Sequence, residues 1–281
     1  MEKCVLWAIG IGEAFMEGSE DQLHDFLELL HCIREQSVSE LISEDELSSA
    51  KLWDWLTAKD QVELNDIKRE LTKRINKAKC IEAEPYQQAL SKVGRQELVK
   101  TLVLSFTKVN IYYISTILEY YAGLQSYLVQ EKKDAFCHDL QECFPNIFFC
   151  EGIEGTVNTL NRRFEDIRGE IVDHLAALDS YHERFVKLLN AHKSYREIAQ
   201  AFSADMGIEC SPQSGRDGVQ ALKVKYFNDV SKQEEVITCE LHTKFNKFNI
   251  DREKQDRIYF FPGKVGIKGG KIIVKHIGTH L

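Results

Sequence analysis

Apolar residues recur at threes and fours along most of the first two hundred positions. Over 21–36, Leu23, Phe26, Leu27, Leu29, Leu30 and Ile33 make a broad apolar face, the spacing of an amphipathic helix. Ser43-Glu44-Asp45-Glu46 has capping-box spacing, in which the serine accepts the backbone N–H three residues on and the glutamate reaches back. A charged amphipathic helix is expected over 60–79, and a longer one, rich in Leu, Ile and Tyr, over 96–130. Phe164, Ile167, Ile171, Leu175, Leu178, Tyr181, Phe185 and Leu188 carry the helical period through 163–192. Phe144-Pro-Asn-Ile-Phe-Phe149 breaks it and reads as a short strand, an interface loop or plain core.

The pattern changes after Met206. Gly207, Pro212, Ser214, Gly215 and Gly218 mark a turn-rich linker over 207–218. Four strand-like runs follow, at 222–227, 236–245, 257–261 and 271–277, the last two separated by the glycine-rich segment 262–270. The expected fold is mostly α with a C-terminal α+β part: a helical bundle, then a small antiparallel four-stranded sheet. Three parts are expected: a helical regulatory or assembly domain over 1–206, the linker, and a basic sheet domain over 219–281.

Composition narrows the class. With 281 residues, 43% hydrophobic and 28% charged, the chain is not a disordered one. Only 4 prolines are present, which favours helix. The 8 cysteines include no CxxC pair. Cys137, His138, Cys143 and Cys150 come nearest to a ligand set, but on a stretch that reads as helix, so buried reduced thiols are expected, with no metal and no other cofactor. The first apolar run ends within a few residues, unlike a secretory leader, and a reducing cytoplasm is the simple expectation. Thr101–Leu118 has one charge, Lys108. Its Asn, Ser and Thr content and the lack of flanking basic clusters favour a packed central helix over a membrane span. Charge is uneven: 23 Lys+Arg against 36 Asp+Glu over 1–215, but 13 against 8 over 216–281. Such a basic segment points toward nucleic acid.

The sheet region carries the candidate chemistry. Strand alternation gives Cys239, Leu241, Thr243 and Phe245 one face and Glu240, His242 and Lys244 the other. Ile258 and Phe260 oppose Arg257, Tyr259 and Phe261 in the same way. A face bearing Lys223, Lys225, Lys244, Arg257, Lys271 and Lys275 would attract phosphate. Within it, Glu240 and His242 could take the proton of a ribose 2′-hydroxyl. Arg257 and Lys244 could stabilise charge on phosphorus in the transition state, and Tyr259 could stack on a base or donate a proton. The plainer reading is the polar face of a half-solvated sheet, with lysines guarding its edges. Lys264 and Lys268 sit in the glycine-rich loop, which could wrap a phosphate or simply turn a hairpin. His276 shares the parity of Ile272 and Val274 and, without a bulge, belongs to the core. His280 lies past the strand with no readable direction. His24 and His31, like His174 and His182, read as packing or surface residues.

Glu240-Leu-His-Thr-Lys244, Arg257-Ile-Tyr-Phe260 and Ile273-Val-Lys-His-Ile-Gly-Thr-His-Leu281 resemble the C-terminal strands of the RelE-type ribonuclease group of prokaryotic toxins. The resemblance spans about the last sixty residues, and the helical extension before them departs from those compact toxins. It implies metal-independent RNA cleavage, with Lys244, Arg257 and Tyr259 of the residue types such enzymes use; His280 belongs to the same candidate catalytic set. It also implies a toxin-type or phage-defence hydrolase, with RNA and a regulatory or antitoxin-like protein as partners. The helical part would be a sensor, an inhibitor-like regulatory part or a platform for homo-oligomerisation, and no membrane partner is expected. The rival expectation is a non-catalytic nucleic-acid-binding or assembly subunit of a defence complex.

Overall fold

The computed structural model describes residues 3–8, 10–36, 38–59, 61–94, 100–105, 109–213, 216–245 and 255–281. The chain divides into two compact units, Met1–Gln130 and Glu131–Leu281.

The first unit is built on a parallel sheet, sheet A, of strands β1 (Lys3–Trp7), β2 (Ser39–Ser43), β3 (Lys79–Ile81), β4 (Lys100–Leu104) and β5 (Tyr113–Ile114), in the order β3-β2-β1-β4-β5. Its helices are α1 (Ile11–Glu17), α2 (Glu20–Glu35), α3 (Glu44–Leu47), α4 (Ala50–Thr57), α5 (Asn65–Ile75), α6 (Ala83–Ser91) and α7 (Ile117–Leu128). The expected helical bundle is therefore wrong: this is an α/β fold. The reason lies in β4, whose five residues are all buried. A parallel strand covered on both faces is a continuous apolar run without alternation, and a buried helix can show the same run. Among the described residues, the stretch 96–130 thus holds β4 and β5 before helix α7. Helix α2 follows its pattern, burying Leu23, Phe26, Leu29, Leu30 and Ile33.

The second unit contains α8 (Lys133–Cys143), β6 (Ile147–Phe149), α9 (Ile153–Val157), α10 (Phe164–Ser180), α11 (His182–Asn190), α12 (Tyr195–Met206), β7 (Cys210–Pro212), α13 (Arg216–Ala221), β8 (Lys223–Asn228), β9 (Gln233–Thr238), β10 (Leu241–Lys244), β11 (Arg257–Phe261) and β12 (Ile272–Gly278). Sheet B runs β6-β12-β11-β10-β7 and is mixed, because β6 lies parallel to β12. Strands β8 and β9 pair only with each other, as sheet C. The expected single antiparallel meander is corrected accordingly. The apolar run 236–245 is two strands serving two sheets, parted at Cys239 and Glu240, and the outer strands of sheet B come from 147–149 and 210–212. One face of sheet B packs on helices, with Phe260 against Phe185 of α11 at 5.7 Å between ring centroids. On the other face Tyr259, Phe261 and Ile273 join Leu222 and Ile237 of the hairpin region in one core.

The two units also redraw the charge map. Glu131–Leu281 holds 22 Lys+Arg and 23 Asp+Glu, so the basic stretch belongs to a near-neutral body. No helix among the described residues is long and apolar enough to cross a membrane.

Candidate functional site: a polar row across sheet B

Strand register brings four polar side chains into line across four neighbouring strands. Ser211 of β7 faces His242 of β10, His242 faces Tyr259 of β11, and Tyr259 faces His276 of β12. The Ser211 Oγ to His242 Nε2 distance is 3.1 Å. The His242 and Tyr259 rings lie 4.9 Å apart and the Tyr259 and His276 rings 5.6 Å. In the next row Lys244 faces Arg257, which faces Gly278. Arg257 Nη1 donates to the Tyr259 hydroxyl oxygen at 3.3 Å.

His276 reaches this row through a β-bulge. Between the pairs Tyr259–His276 and Phe260–Val274, β11 advances one residue and β12 advances two. Lys275 is the extra residue, and the strand's parity inverts beyond it. His276 therefore stands with Tyr259, where strict alternation would have set it with Val274. Its Nε2 donates to the Thr279 carbonyl at 2.9 Å.

The row is buried: His242 is 3% exposed, Arg257 6% and Tyr259 0%. Burial first, and then the Arg257 and Lys244 charges, hold the His242 imidazole down to about 3. At neutral pH it is uncharged, and the burial and neighbouring cations that keep it so also oppose its protonation. Burial likewise lowers His276 and raises the half-buried Glu240. Over Tyr259 lies the segment after β12. The Leu281 N–H donates to the Tyr259 oxygen at 3.2 Å, and Gln213 Nε2 donates to the Leu281 carbonyl at 2.7 Å.

The remaining candidates are dispersed. Lys244 is ion-paired with Glu209, and Lys264 with Glu235. Lys268 lies over the rings of Phe148 and Tyr226, at 4.5 and 5.0 Å from their centroids. Lys271 and Lys275 are half-buried. Lys223 and Lys225 project from sheet C and not from sheet B, so the expected continuous basic face does not form. His280 is half-buried, and its charge bears on His242.

One anchoring carboxylate, Asp256, was not singled out from the sequence, and another, Glu46, takes partners other than the expected one. Asp256, with its side chain fully buried, accepts the Asn161 N–H at 2.8 Å, Asn161 Nδ2 at 3.1 Å and the Arg162 N–H at 3.3 Å. It ties the loop before α10 to the start of β11. In the first unit, Ser43 accepts from Glu46 N–H as its spacing implied, but the Glu46 carboxylate does not reach back. It accepts from Gly10 and Gly12 N–H, at 2.8 and 3.2 Å, and so fastens the turn between β1 and α1. Only the serine half of that signal was legible, since nothing local marks a partner 34 residues away.

Among the described residues, no group of three or more His, Cys, Asp or Glu side chains is placed to hold a metal ion. No family model, curated protein or solved structure matches the chain.

Proposed function

We propose that the Glu131–Leu281 unit is an RNA-directed module of the toxin or antiviral-defence type, with a ribonuclease-like site on the His242 face of sheet B. The observation that supports it is the convergence of a neutral imidazole, a guanidinium and a phenol on adjacent strands. Once the site opens to water and the substrate phosphate offsets the Arg257 and Lys244 charges, His242 would regain the basicity to take the proton of a 2′-hydroxyl, which attacks phosphorus. The 5′-oxygen would leave with a proton from solvent or a neighbouring acid. Arg257 would balance charge on the phosphoryl oxygens. The products are a 2′,3′-cyclic phosphate and a free 5′-hydroxyl, and no redox partner or metal enters the step.

The row is closed as it stands, so cleavage requires the Gln213–Leu281 cover to move. Burial gives the second reading its footing: a polar network that only holds the sheet together, within a unit that binds nucleic acid without cutting it. The test is end-labelled RNA in EDTA with wild-type, Gln213→Ala and His242→Ala proteins. The ribonuclease reading expects more cyclic-phosphate ends with Gln213→Ala, and at least ~100-fold fewer when His242→Ala is added to it, the usual scale for acid–base groups. Intact RNA with Gln213→Ala, at unchanged secondary structure, overturns cleavage and leaves binding.

A further inference from the structure

We infer that the β8–β9 hairpin is a docking ribbon for single-stranded RNA, with Phe227 as the surface on which a base stacks. The inference rests on the RNA-directed reading of this unit but not on cleavage. Its basis is an exposed face separate from the buried row. Lys223, Lys225 and Phe227 alternate outward along β8, while Val224 and Tyr226 turn inward against the sheet B core. In register opposite them on β9 stand Thr238, Val236 and Glu234.

Three properties single out this face. Phe227 is 54% exposed and Val236, diagonal to it, 55%. An aromatic ring left in water on a strand costs free energy that a stacked base would recover. Lys223 and Lys225 make no ion pair among the described residues, whereas Lys244 and Lys264 do. Their ammonium groups are available to phosphates. The face is also polarised along β8, with Lys223 and Lys225 toward one end and Phe227, opposite Glu234, at the other, which sets phosphates toward Lys223 and a base on Phe227.

The ribbon is anchored firmly enough to act as a platform. Asn228 closes its turn by accepting the Val230 and Ser231 N–H groups, at 2.8 and 3.1 Å. The Asp229 N–H donates to the Gly266 carbonyl at 2.8 Å. Gly266, at φ +85°, must be glycine, because a Cβ there would stand 2.1 Å from Asn228 Oδ1. Single-stranded nucleic acid fits such a ribbon better than a duplex. Stacking needs an unpaired base, and two cations beside one ring track one strand.

The test uses the full-length protein and a 2′-O-methyl RNA 12-mer, which binds but offers no 2′-hydroxyl to cleave, followed by fluorescence anisotropy across a salt series. Phe227→Leu, which keeps apolar bulk but removes the ring's π face, should weaken binding about tenfold, and Phe227→Trp should retain it. Lys223→Ala/Lys225→Ala should weaken binding and reduce the salt slope by about 1.4, the value for two phosphate contacts on a single strand. All three positions are exposed, and thermal melting checks that each variant is folded. RNA binding that ignores every one of these changes overturns the ribbon while leaving an RNA-directed unit in place. Absence of any RNA binding overturns the ribbon whether or not cleavage is seen. Equal binding of poly-glutamate, insensitive to Phe227, assigns the face to an acidic polypeptide and overturns it too.

Discussion

Sheets A and B bury polar groups in different places. In sheet A the apolar runs Val5–Trp7 and Leu102–Leu104 fill the middle of the inner strands, and the polar groups near them are tied off singly, Glu40 by the Arg74 ion pair and Glu46 by the Gly10 and Gly12 N–H groups. In sheet B a line of Ser, His, Tyr and His crosses the middle of four strands, and Asp256 lies fully buried just before β11. A parallel sheet covered on both faces has room for chemistry only at its rim. A mixed sheet with one polar face can hold it at the centre, provided each buried group finds a partner. The cost of losing one partner should then be larger in sheet B, since the group left behind has no path to water.

The largest effect expected is for Asp256→Ala. It removes a fully buried carboxylate that accepts three N–H groups of Asn161 and Arg162 and should cost about 3 kcal/mol, the upper scale for hydrogen bonds to a charged group. Urea unfolding of wild type and variant measures it, with Asp256→Asn losing less because it keeps an acceptor oxygen. Glu46→Ala in the first unit should cost less, about 2 kcal/mol, for two backbone donors at the edge of a turn. A loss equal to or above that of Asp256→Ala would break the comparison between the sheets. The smallest effect is with pH. His242 titrates near 6.5 when unfolded and is held to about 3 when folded. Between those values the unfolded chain binds the extra proton, so stability falls as pH drops. From pH 7 to 6 this one residue should remove about 0.7 kcal/mol. His242→Gln should flatten that part of the profile in chemical denaturation at the two pH values, and an unchanged slope would mean that the imidazole is not buried neutral.

Legibility in the sequence followed from how locally each feature is determined. The amphipathic period of α2 and the alternation of β11 each lie within one segment, and β11 occupies 257–261 as its pattern indicates. The same alternation put His242 and Tyr259 on a common face, and register makes them cross-strand partners. Strand β4 was not legible as a strand because Leu102, Val103 and Leu104 are buried without a polar face. Pairing partners were hidden too, since nothing in Ile147–Phe149 announces β12 as its neighbour. The Lys275 bulge, which moves His276 into the row, depends on how β12 meets β11 and leaves no mark in β12 itself.

The pairing of β6 with β12 has a consequence for the order in which the chain is made. Ile147 emerges from the ribosome long before Ile272, its register partner, and sheet B has no complete set of strands until β12 is out. During that interval the Ile147–Phe149 backbone and the exposed side of the nascent sheet are open to wrong partners. Sheet A closes earlier, once Ile114 has joined Leu104. Synthesis should therefore yield a folded first unit trailing an unfinished second one. Proteolysis of stalled nascent chains should find protection over the first unit while residues beyond Gln130 are still cut.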